Sequence, residues 1–303
     1  MTRAIAWLKA ARPQLHILGV LPVLIGALLA SRETGSLSLI RLALAESIML
    51  FVLIATAFAN DYADVETDRL NRNPSIFSGG SRAIVDGIIS KVQMGRAVLA
   101  VSSVSILLSL AAIIFLKMDP ITLVLTTIGL FIGIGYSLPP LRINWRGSGE
   151  LFVIVMYSIF CVFFGYASQR GAGSSVDLLN LSIPIAITAF LAILITEIPD
   201  YDSDKLSGKR TIPALFGREA AILAYLFGIL VLYLTAGVLY LSGALTKTAC
   251  IGVASSILIG GPAAVLSLSR DRLGQKNLMT LCGMTMTLCV WVDAALIFSL
   301  IRR

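Results

Sequence analysis

The sequence has few charged residues, and long apolar runs take their place. Only 14% of the 303 residues are Asp, Glu, Lys or Arg, whereas 57% are hydrophobic. A soluble domain carries about 25% charged residues. The composition, with a mean hydropathy of +0.90, therefore excludes a soluble globular protein and indicates an integral membrane protein.

Histidine and cysteine are also scarce, which argues against zinc and thiol redox sites. The chain has one histidine, His16, and four cysteines, at positions 161, 250, 282 and 289. The cysteines lie in different apolar runs, without Cys-x-x-Cys spacing and without histidine partners. We therefore interpret them as packing residues.

The apolar runs are long enough to cross a bilayer as helices, which takes about 20 residues each. We predict nine spans, at 15–31, 40–60, 95–116, 120–138, 151–168, 178–198, 219–241, 247–269 and 278–301. Lipid tolerates only structures whose backbone hydrogen bonds are closed, and the connections leave no room for a soluble domain. We expect an all-α fold, a single multi-pass transmembrane bundle of nine helices over residues 1–303.

The formal net charge of +7 does not indicate nucleic-acid binding. Most of the 24 basic residues, including Arg270 and Arg272, fall in loops on one side of the predicted bundle. This is the positive-inside pattern, so we place the N-terminus and those loops on the cytosolic side of the cytoplasmic membrane. The basic N-terminus runs into a full span without an A-x-A-like site, so we interpret it as the first helix and not as a removed signal.

Three aspartates follow the second predicted span in the stretch NDYADVETD, residues 60–68. Asp61, Asp64 and Asp68 stand at i, i+3 and i+7, which on a helix places them within about 60° of one another. Asn60 adds a carbonyl oxygen to the same side through an i, i+4, i+8 row. The spacing predicts one acidic helix face.

A second acidic stretch, EIPDYDSDKLSGKR, follows the sixth predicted span. At an offset of 136 residues, Glu197, Asp200 and Asp204 match the three aspartates of the first stretch. The repeat predicts two parallel four-helix units plus a ninth helix, with halves near 1–138 and 139–303. Pro199 is expected to kink or end the sixth helix before Asp200.

Carboxylates crowded at bilayer depth require a compensating cation. Each aspartate costs about 2.5 to 3.5 kcal/mol on insertion scales, and like charges add repulsion. Oxygen ligands suit Mg²⁺, which takes one or two carboxylates and keeps other positions for water and phosphate oxygens. We predict that the two motifs hold a diphosphate between Mg²⁺ ions. The candidate metal ligands are Asn60, Asp61, Asp64, Asp68, Glu197, Asp200 and Asp204.

Other interpretations of the acidic stretches stay open from the residues alone. They are also consistent with solvated helix ends that pair with neighbouring arginines and lysines, or with a cation transporter whose carboxylates line an ion path. Transport sites usually lie near the bilayer midplane, whereas both motifs lie at predicted helix ends. The basic residues that trail the motifs suit phosphate instead. The diphosphate candidates here are Arg72, Arg82, Lys209 and Arg210.

The paired motifs resemble those of the UbiA family of intramembrane prenyltransferases over essentially the whole chain. The family's N-x-x-x-D-x-x-x-D motif reads Asn60, Asp64, Asp68, and its D-x-x-x-D motif reads Asp200, Asp204, followed by GKRT at 208–211. The resemblance implies transfer of the allylic group of a polyprenyl diphosphate, such as geranylgeranyl diphosphate, to an acceptor, with Mg²⁺ as cofactor and the motif aspartates as catalytic residues. Membrane lipid is the other partner that the resemblance implies for this protein.

Two loops are similar to those of the branch that prenylates 1,4-dihydroxy-2-naphthoate on the way to menaquinone. They are FSGGSRAIVDGIIS at 77–90 and YSLPPLRINWRGSGE at 136–150. The alternative acceptors are 4-hydroxybenzoate, a geranylgeranylglyceryl phosphate and haem. Thr196 stands where many relatives carry Asn, so Glu197 is expected to substitute as a ligand.

The second of these loops also supplies candidate substrate contacts. The ring of Tyr136 offers a negative face to an allylic cation, which makes it a catalytic and acceptor-binding candidate. Arg142 occupies a place where related sequences carry a basic residue near the acceptor or diphosphate. His16, beside Arg12 and Pro13 at the mouth of the first helix, is a further acceptor-binding candidate.

Overall fold

The computed structural model describes residues 2–72, 74–173, 175–268 and 274–302. All regular structure within them is helical. The α-helices are α1 (Arg3–Ala11), α2 (Pro13–Thr34), α3 (Leu39–Ala63), α4 (Val65–Leu70), α5 (Lys91–Leu116), α6 (Ile121–Ser137), α7 (Gly149–Val155), α8 (Cys161–Arg170), α9 (Val176–Glu197), α10 (Tyr201–Ser207), α11 (Ile212–Phe216), α12 (Arg218–Leu241), α13 (Lys247–Ser255), α14 (Ile257–Ser267) and α15 (Gln275–Ile301). Arg270 and Arg272 lie outside the described residues.

Eight helical segments of the described chain are long and apolar enough to cross a membrane. They are Arg3–Thr34, Leu39–Ala63, Lys91–Leu116, Gly149–Arg170, Val176–Ser207, Arg218–Leu241, Lys247–Ser267 and Gln275–Ile301. The remaining predicted span is α6, which is apolar but only 17 residues long. The predicted all-α, multi-pass bundle is confirmed, with eight full-length spans and one shorter helix in the described residues. The division into two repeat halves stays a prediction.

Both acidic stretches lie at breaks in the helices. Helix α3 ends at Ala63, and Asp64 is its C-cap with φ −93° and ψ 17°, so α4 starts as a new short helix. In the second stretch, Pro199 lies in a 3₁₀ turn between α9 and α10. The predicted effect of Pro199 is confirmed, because a proline lacks the N–H that would continue the α-helix.

Close contact between α2 and α8 depends on glycine. A Cβ atom on Gly26 would overlap the carbonyl oxygen of Val162, and one on Gly165 would overlap the carbonyl oxygen of Val23. Small residues let helix backbones approach in lipid, where dispersion contacts drive association. This contact holds α2 in place. The first turn of α2 carries His16, which lines the cavity described below.

A long apolar core joins the C-terminal helices and determines where the second acidic stretch lies. Leu191 and Leu194 of α9 and Leu288 of α15 are fully buried in it. Because α9 packs against both α12 and α15, its C-terminal end is held rigidly. Glu197, the last residue of α9, therefore projects from a well-packed support, and the turn that carries Asp200 follows it directly.

Candidate active site

A cavity of about 790 Å³ opens where the acidic ends of α3 and α9 meet. We call this region the motif end of the bundle. Polar side chains of the two motifs line the cavity there, and apolar side chains such as Leu53, Phe160 and Met286 line it deeper between the helices. Pockets of this size, with few polar groups on apolar walls, are typical of small-molecule sites.

The first acidic stretch divides between two environments. Asn60, Asp64 and Asp68 line the cavity, and the Asn60 amide donates to Asp64 Oδ2 at 3.0 Å. Asp61 is buried and does not line the cavity. Its carboxylate accepts from Arg12 Nη2 at 2.7 Å and from the Ser81 hydroxyl. The prediction of a single face for the three aspartates is therefore wrong: Asp61 lies within α3, about 100° around the helix from Asn60, and it pairs with Arg12 and Ser81.

Arg12 joins the start of α2 to the end of α3. Its Nη2 donates to Asn60 Oδ1 at 2.8 Å as well as to Asp61 Oδ1. Sequence analysis noted Arg12 only as a neighbour of His16. The one available signal was an arginine immediately before a helix-starting proline, which does not identify a partner 49 residues away.

The second stretch presents three carboxylates to the same cavity, from Glu197, Asp200 and Asp204. The Asn71 amide donates to Asp200 Oδ1 at 2.6 Å, and the Thr211 hydroxyl donates to Asp204 Oδ2 at 3.2 Å. Asn71 follows the first motif, so its contact with Asp200 links the two stretches directly.

Lys209 lies between the two motifs. Its Nζ is 3.2 Å from Asp64 Oδ2 and 3.9 Å from Asp204 Oδ1. Burial alone would lower the pKa of Lys209, but the carboxylates of Asp64 and Asp204 raise it well above its ordinary value. The structure thus brings the two acidic stretches together, as predicted, with an ammonium group between them.

The motif end carries more negative charge than its cations compensate. Burial raises the pKa of Asp68 to about 8, and neighbouring Asp64 adds to this rise while Arg12 opposes it. A raised carboxyl pKa means that the charged form has too little solvent or positive charge around it. The site therefore favours binding of a further cation.

Two buried carboxylate oxygens indicate whether the residues of this site suit Mg²⁺. Asp64 Oδ1 and Glu197 Oε2 have no hydrogen-bond partner in the described structure, and both residues line the cavity. No three His, Cys, Asp or Glu side chains of the described ranges surround one point at ligand distance. Since Mg²⁺ uses one or two carboxylates and completes its shell with water and phosphate oxygens, the oxygen donors present fit that ion.

The predicted phosphate-binding residues separate into two groups. Lys209 and Arg82 line the cavity, and Arg82 Nη1 also donates to the Asp68 carbonyl at 2.8 Å. Arg72, Arg142 and Arg210 are not among the residues that line it. The Arg142 guanidinium instead lies 4.1 Å from the centre of the Trp145 ring.

Tyr136 and His16 both line the cavity, as the predicted substrate contacts require. His16 is buried, and neither ring nitrogen has a partner within hydrogen-bond geometry, although the ring lies near the Ala11 carbonyl. Lys9 also lines the cavity. Asn144, which sequence analysis did not single out, lies with its amide nitrogen 3.5 Å from Asp64 Oδ2.

Comparison with known proteins shows which family the chain belongs to. The profile of the UbiA prenyltransferase family matches residues 19–289. The chain is 30% identical over 241 residues to 1,4-dihydroxy-2-naphthoate octaprenyltransferase of Bacillus subtilis, covering 79% of this chain and 75% of the relative. It is 24% identical over 236 residues to 2-carboxy-1,4-naphthoquinone phytyltransferase of Synechocystis, covering 75% and 71%.

Solved structures show the same fold. A UbiA homologue from Aeropyrum pernix superposes with a TM-score of 0.72 at 20% identity, covering 93% of this chain and 97% of that one. A UbiA homologue from Archaeoglobus fulgidus bound to GPP and Mg²⁺ superposes with a TM-score of 0.64 at 17% identity, covering 97% and 99%.

The chain belongs to the UbiA prenyltransferase family and is an integral membrane prenyltransferase.

Proposed function

We propose that the protein transfers a polyprenyl group from an isoprenyl diphosphate to 1,4-dihydroxy-2-naphthoate, in a Mg²⁺-dependent reaction of menaquinone biosynthesis. The observation that carries the diphosphate part is the meeting of both acidic motifs around Lys209 at the mouth of an apolar cavity. The acceptor is supported by the names of the Bacillus and Synechocystis relatives.

The cavity-lining aspartates Asp64, Asp68, Asp200 and Asp204 are the residues that would hold Mg²⁺, with Asn60 and Glu197 beside them. Bound Mg²⁺ would neutralise the diphosphate and improve it as a leaving group. Asp61, already paired with Arg12 and Ser81, holds the first motif in place.

Chain residues supply the remaining functions. We infer that Lys209 and Arg82 donate to diphosphate oxygens, since both are cations that line the cavity next to the motifs. Charge-assisted contacts of this kind strengthen as charge develops on the leaving group. Tyr136 lines the same cavity, and we infer that its ring faces the allylic carbon and stabilises the cation. The apolar walls below exclude water from the cation that forms there.

His16 is the acceptor-binding residue that the geometry supports best. His16 lines the cavity on the α2 side, and its buried ring nitrogens have no partner in hydrogen-bond geometry. A buried polar group without a partner is costly unless a ligand completes its hydrogen bonds. We infer that it bonds a hydroxyl or carboxylate of the aromatic acceptor. Arg142, stacked on Trp145 away from the cavity lining, would have to move to take part.

The deciding experiment uses purified protein in lipid nanodiscs with Mg²⁺, geranylgeranyl diphosphate and a panel of aromatic acceptors. Prenylated naphthoate product is expected with wild type, and none with EDTA or with Asp204→Asn. Asp202→Asn is the matched control, since Asp202 lies in the same short helix but is exposed and pairs with Arg218. Activity that survives both EDTA and Asp204→Asn refutes the mechanism. Product with another acceptor alone refutes only the acceptor assignment.

A further inference from the structure

Glu150 is a buried acidic residue that the proposed reaction does not use. It lies in the first turn of α7, is 4% exposed and does not line the cavity. Burying a polar group costs free energy unless that group is hydrogen-bonded. The basic residue nearest to it in sequence, Arg146, donates from Nη2 to the Pro140 carbonyl at 2.8 Å. The hydrogen-bond donor to Glu150 comes from a different part of the chain.

That donor is the backbone of the loop that follows the second acidic motif. Glu150 Oε1 accepts from the Ile212 amide at 2.6 Å. The residues just before α7 touch the same loop at Gly147, where a Cβ atom would lie 3.6 Å from the Arg210 carbonyl oxygen. The start of α7 therefore packs against the loop between α10 and α11.

This loop carries Lys209 and is held at both of its ends. At the first end, the Lys209 amide donates to the Asp204 carbonyl at 2.9 Å. At the last end, the Thr211 hydroxyl donates to Asp204 Oδ2 at 3.2 Å, and the Ile212 amide donates to Glu150. Of these three contacts, the one with Glu150 joins the loop to a different membrane span. It therefore fixes the loop relative to the rest of the bundle.

The position of Lys209 tolerates little displacement. Its side chain is 15% exposed, and its Nζ lies 3.2 Å from Asp64 Oδ2 of the other motif. A hydrogen bond is lost near about 3.6 Å, so a shift of the loop by about 1 Å would break this contact. Misplacing a group by about 1 Å can slow a reaction by about 100-fold. The anchor of the loop therefore matters for the ammonium group in the site.

We propose that Glu150 is a positioning residue for Lys209, and that it acts as the hydrogen-bond acceptor of the Ile212 amide and not through its charge. The proposal rests on the proposed function, because Lys209 is a cation that we infer to bind the diphosphate. Glu150 does not line the cavity, so its effect on the reaction passes through the loop.

Two substitutions separate the acceptor from the charge. Glu150→Gln removes the charge and keeps a carbonyl oxygen at the same reach. Glu150→Asp keeps the charge and withdraws the oxygens by one carbon–carbon bond, about 1.5 Å. The glutamine variant should therefore resemble wild type, and the aspartate variant should be impaired.

The first measurement is the KM for geranylgeranyl diphosphate in lipid nanodiscs with Mg²⁺ and dihydroxynaphthoate. Glu150→Asp is expected to raise this KM by about 10-fold, and Glu150→Gln should stay within about 2-fold of wild type. In a Lys209→Met background, Glu150→Asp should change the KM by less than about 2-fold, because residues that act through one another are not additive. Glu219→Asp is the matched control, since Glu219 lies in the first turn of α12 but is exposed.

Two kinetic results would overturn the proposal. One is a glutamine variant as impaired as the aspartate variant, which would assign the effect to charge. The other is a full additional effect of Glu150→Asp in the Lys209→Met background, which would mean that Glu150 acts elsewhere. The glutamine variant decides the role of the charge even if the aspartate variant does not fold.

The second measurement needs no substrate. Lysine acylation followed by mass spectrometry reports how accessible Lys209 is, with exposed Lys205 as the internal reference. Glu150→Asp is expected to speed acylation of Lys209 by about 10-fold relative to Lys205, the effect of about one lost hydrogen bond, whereas Glu150→Gln should not. Equal Lys209 rates in all three proteins overturn the proposal. If wild type prenylates no acceptor while the acylation difference holds, the proposed function fails and the anchoring of Lys209 by Glu150 stands.

Discussion

Replacing Arg12 by methionine is expected to destabilise the protein by leaving a buried carboxylate without its counter-charge. The side chain of Asp61 is only 3% exposed and its Oδ1 lies 2.7 Å from Arg12 Nη2. The Ser81 hydroxyl and amide remain as donors, but neither carries a charge. Methionine keeps most of the volume of the arginine stem, so the change isolates the charge.

The size of the effect follows from burial. Breaking a buried ion pair by removing one partner costs about 3 to 5 kcal/mol. The side chain of Arg12 is 23% exposed, so water partly solvates Asp61 when the guanidinium is removed. The lower end of this range, about 3 kcal/mol, therefore applies. Removing both charges, as Arg12→Met with Asp61→Asn, should recover about 2 kcal/mol of this loss, because neighbouring groups couple by up to about 3 kcal/mol.

The measurement is the free energy of unfolding in mixed micelles titrated with SDS. Arg69→Met is the control, since Arg69 and Glu66 form an exposed pair at 3.3 Å with side chains 60% and 80% exposed. Exposed pairs contribute about 0 to 1 kcal/mol, so this variant should unfold almost like wild type. If Arg12→Met and Arg69→Met lose the same amount, the link between α2 and α3 does not stabilise the bundle as argued.

Three further predictions concern packing, charge and topology. Gly26→Ala should destabilise the protein by about 1 to 3 kcal/mol through overpacking, because the new Cβ would meet the Val162 carbonyl. Gly237→Ala is the control, since a Cβ there would have no atom within 4 Å. Equal thermal stability of the two variants would refute the close α2–α8 contact. Lys209→Met should raise the KM for the prenyl diphosphate far more than Lys205→Met, whose lysine is exposed; equal values would remove Lys209 from the site. In a Cys250→Ser background, a membrane-impermeant maleimide should label Arg72→Cys only in inverted vesicles and Lys117→Cys only in intact cells, and the reverse pattern would overturn the cytosolic placement.

Much of the architecture follows from local chemistry that a sequence displays directly. Each apolar run long enough to cross lipid must close its own backbone hydrogen bonds, so the helices and their order are predictable. The repeated carboxylates at an offset of 136 residues and the break at Pro199 are likewise local signals. They predicted the meeting of Asp64 with the second motif, because costly charges at a membrane surface need a shared cation.

Side-chain partners across the bundle had no such local signal. Whether an aspartate faces the cavity or a salt bridge depends on the rotation of its helix relative to the neighbouring helices, and the rotation of α3 turns Asp61 towards Arg12. The contact of Lys209 with Asp64 and the contact of Met49 with Cys161 each join residues more than 100 positions apart. The sequence by itself thus determined the helices and the charges they carry. Packing between the helices sets which charges meet and which side chains line the cavity, because both depend on distances between helices that no single helix encodes.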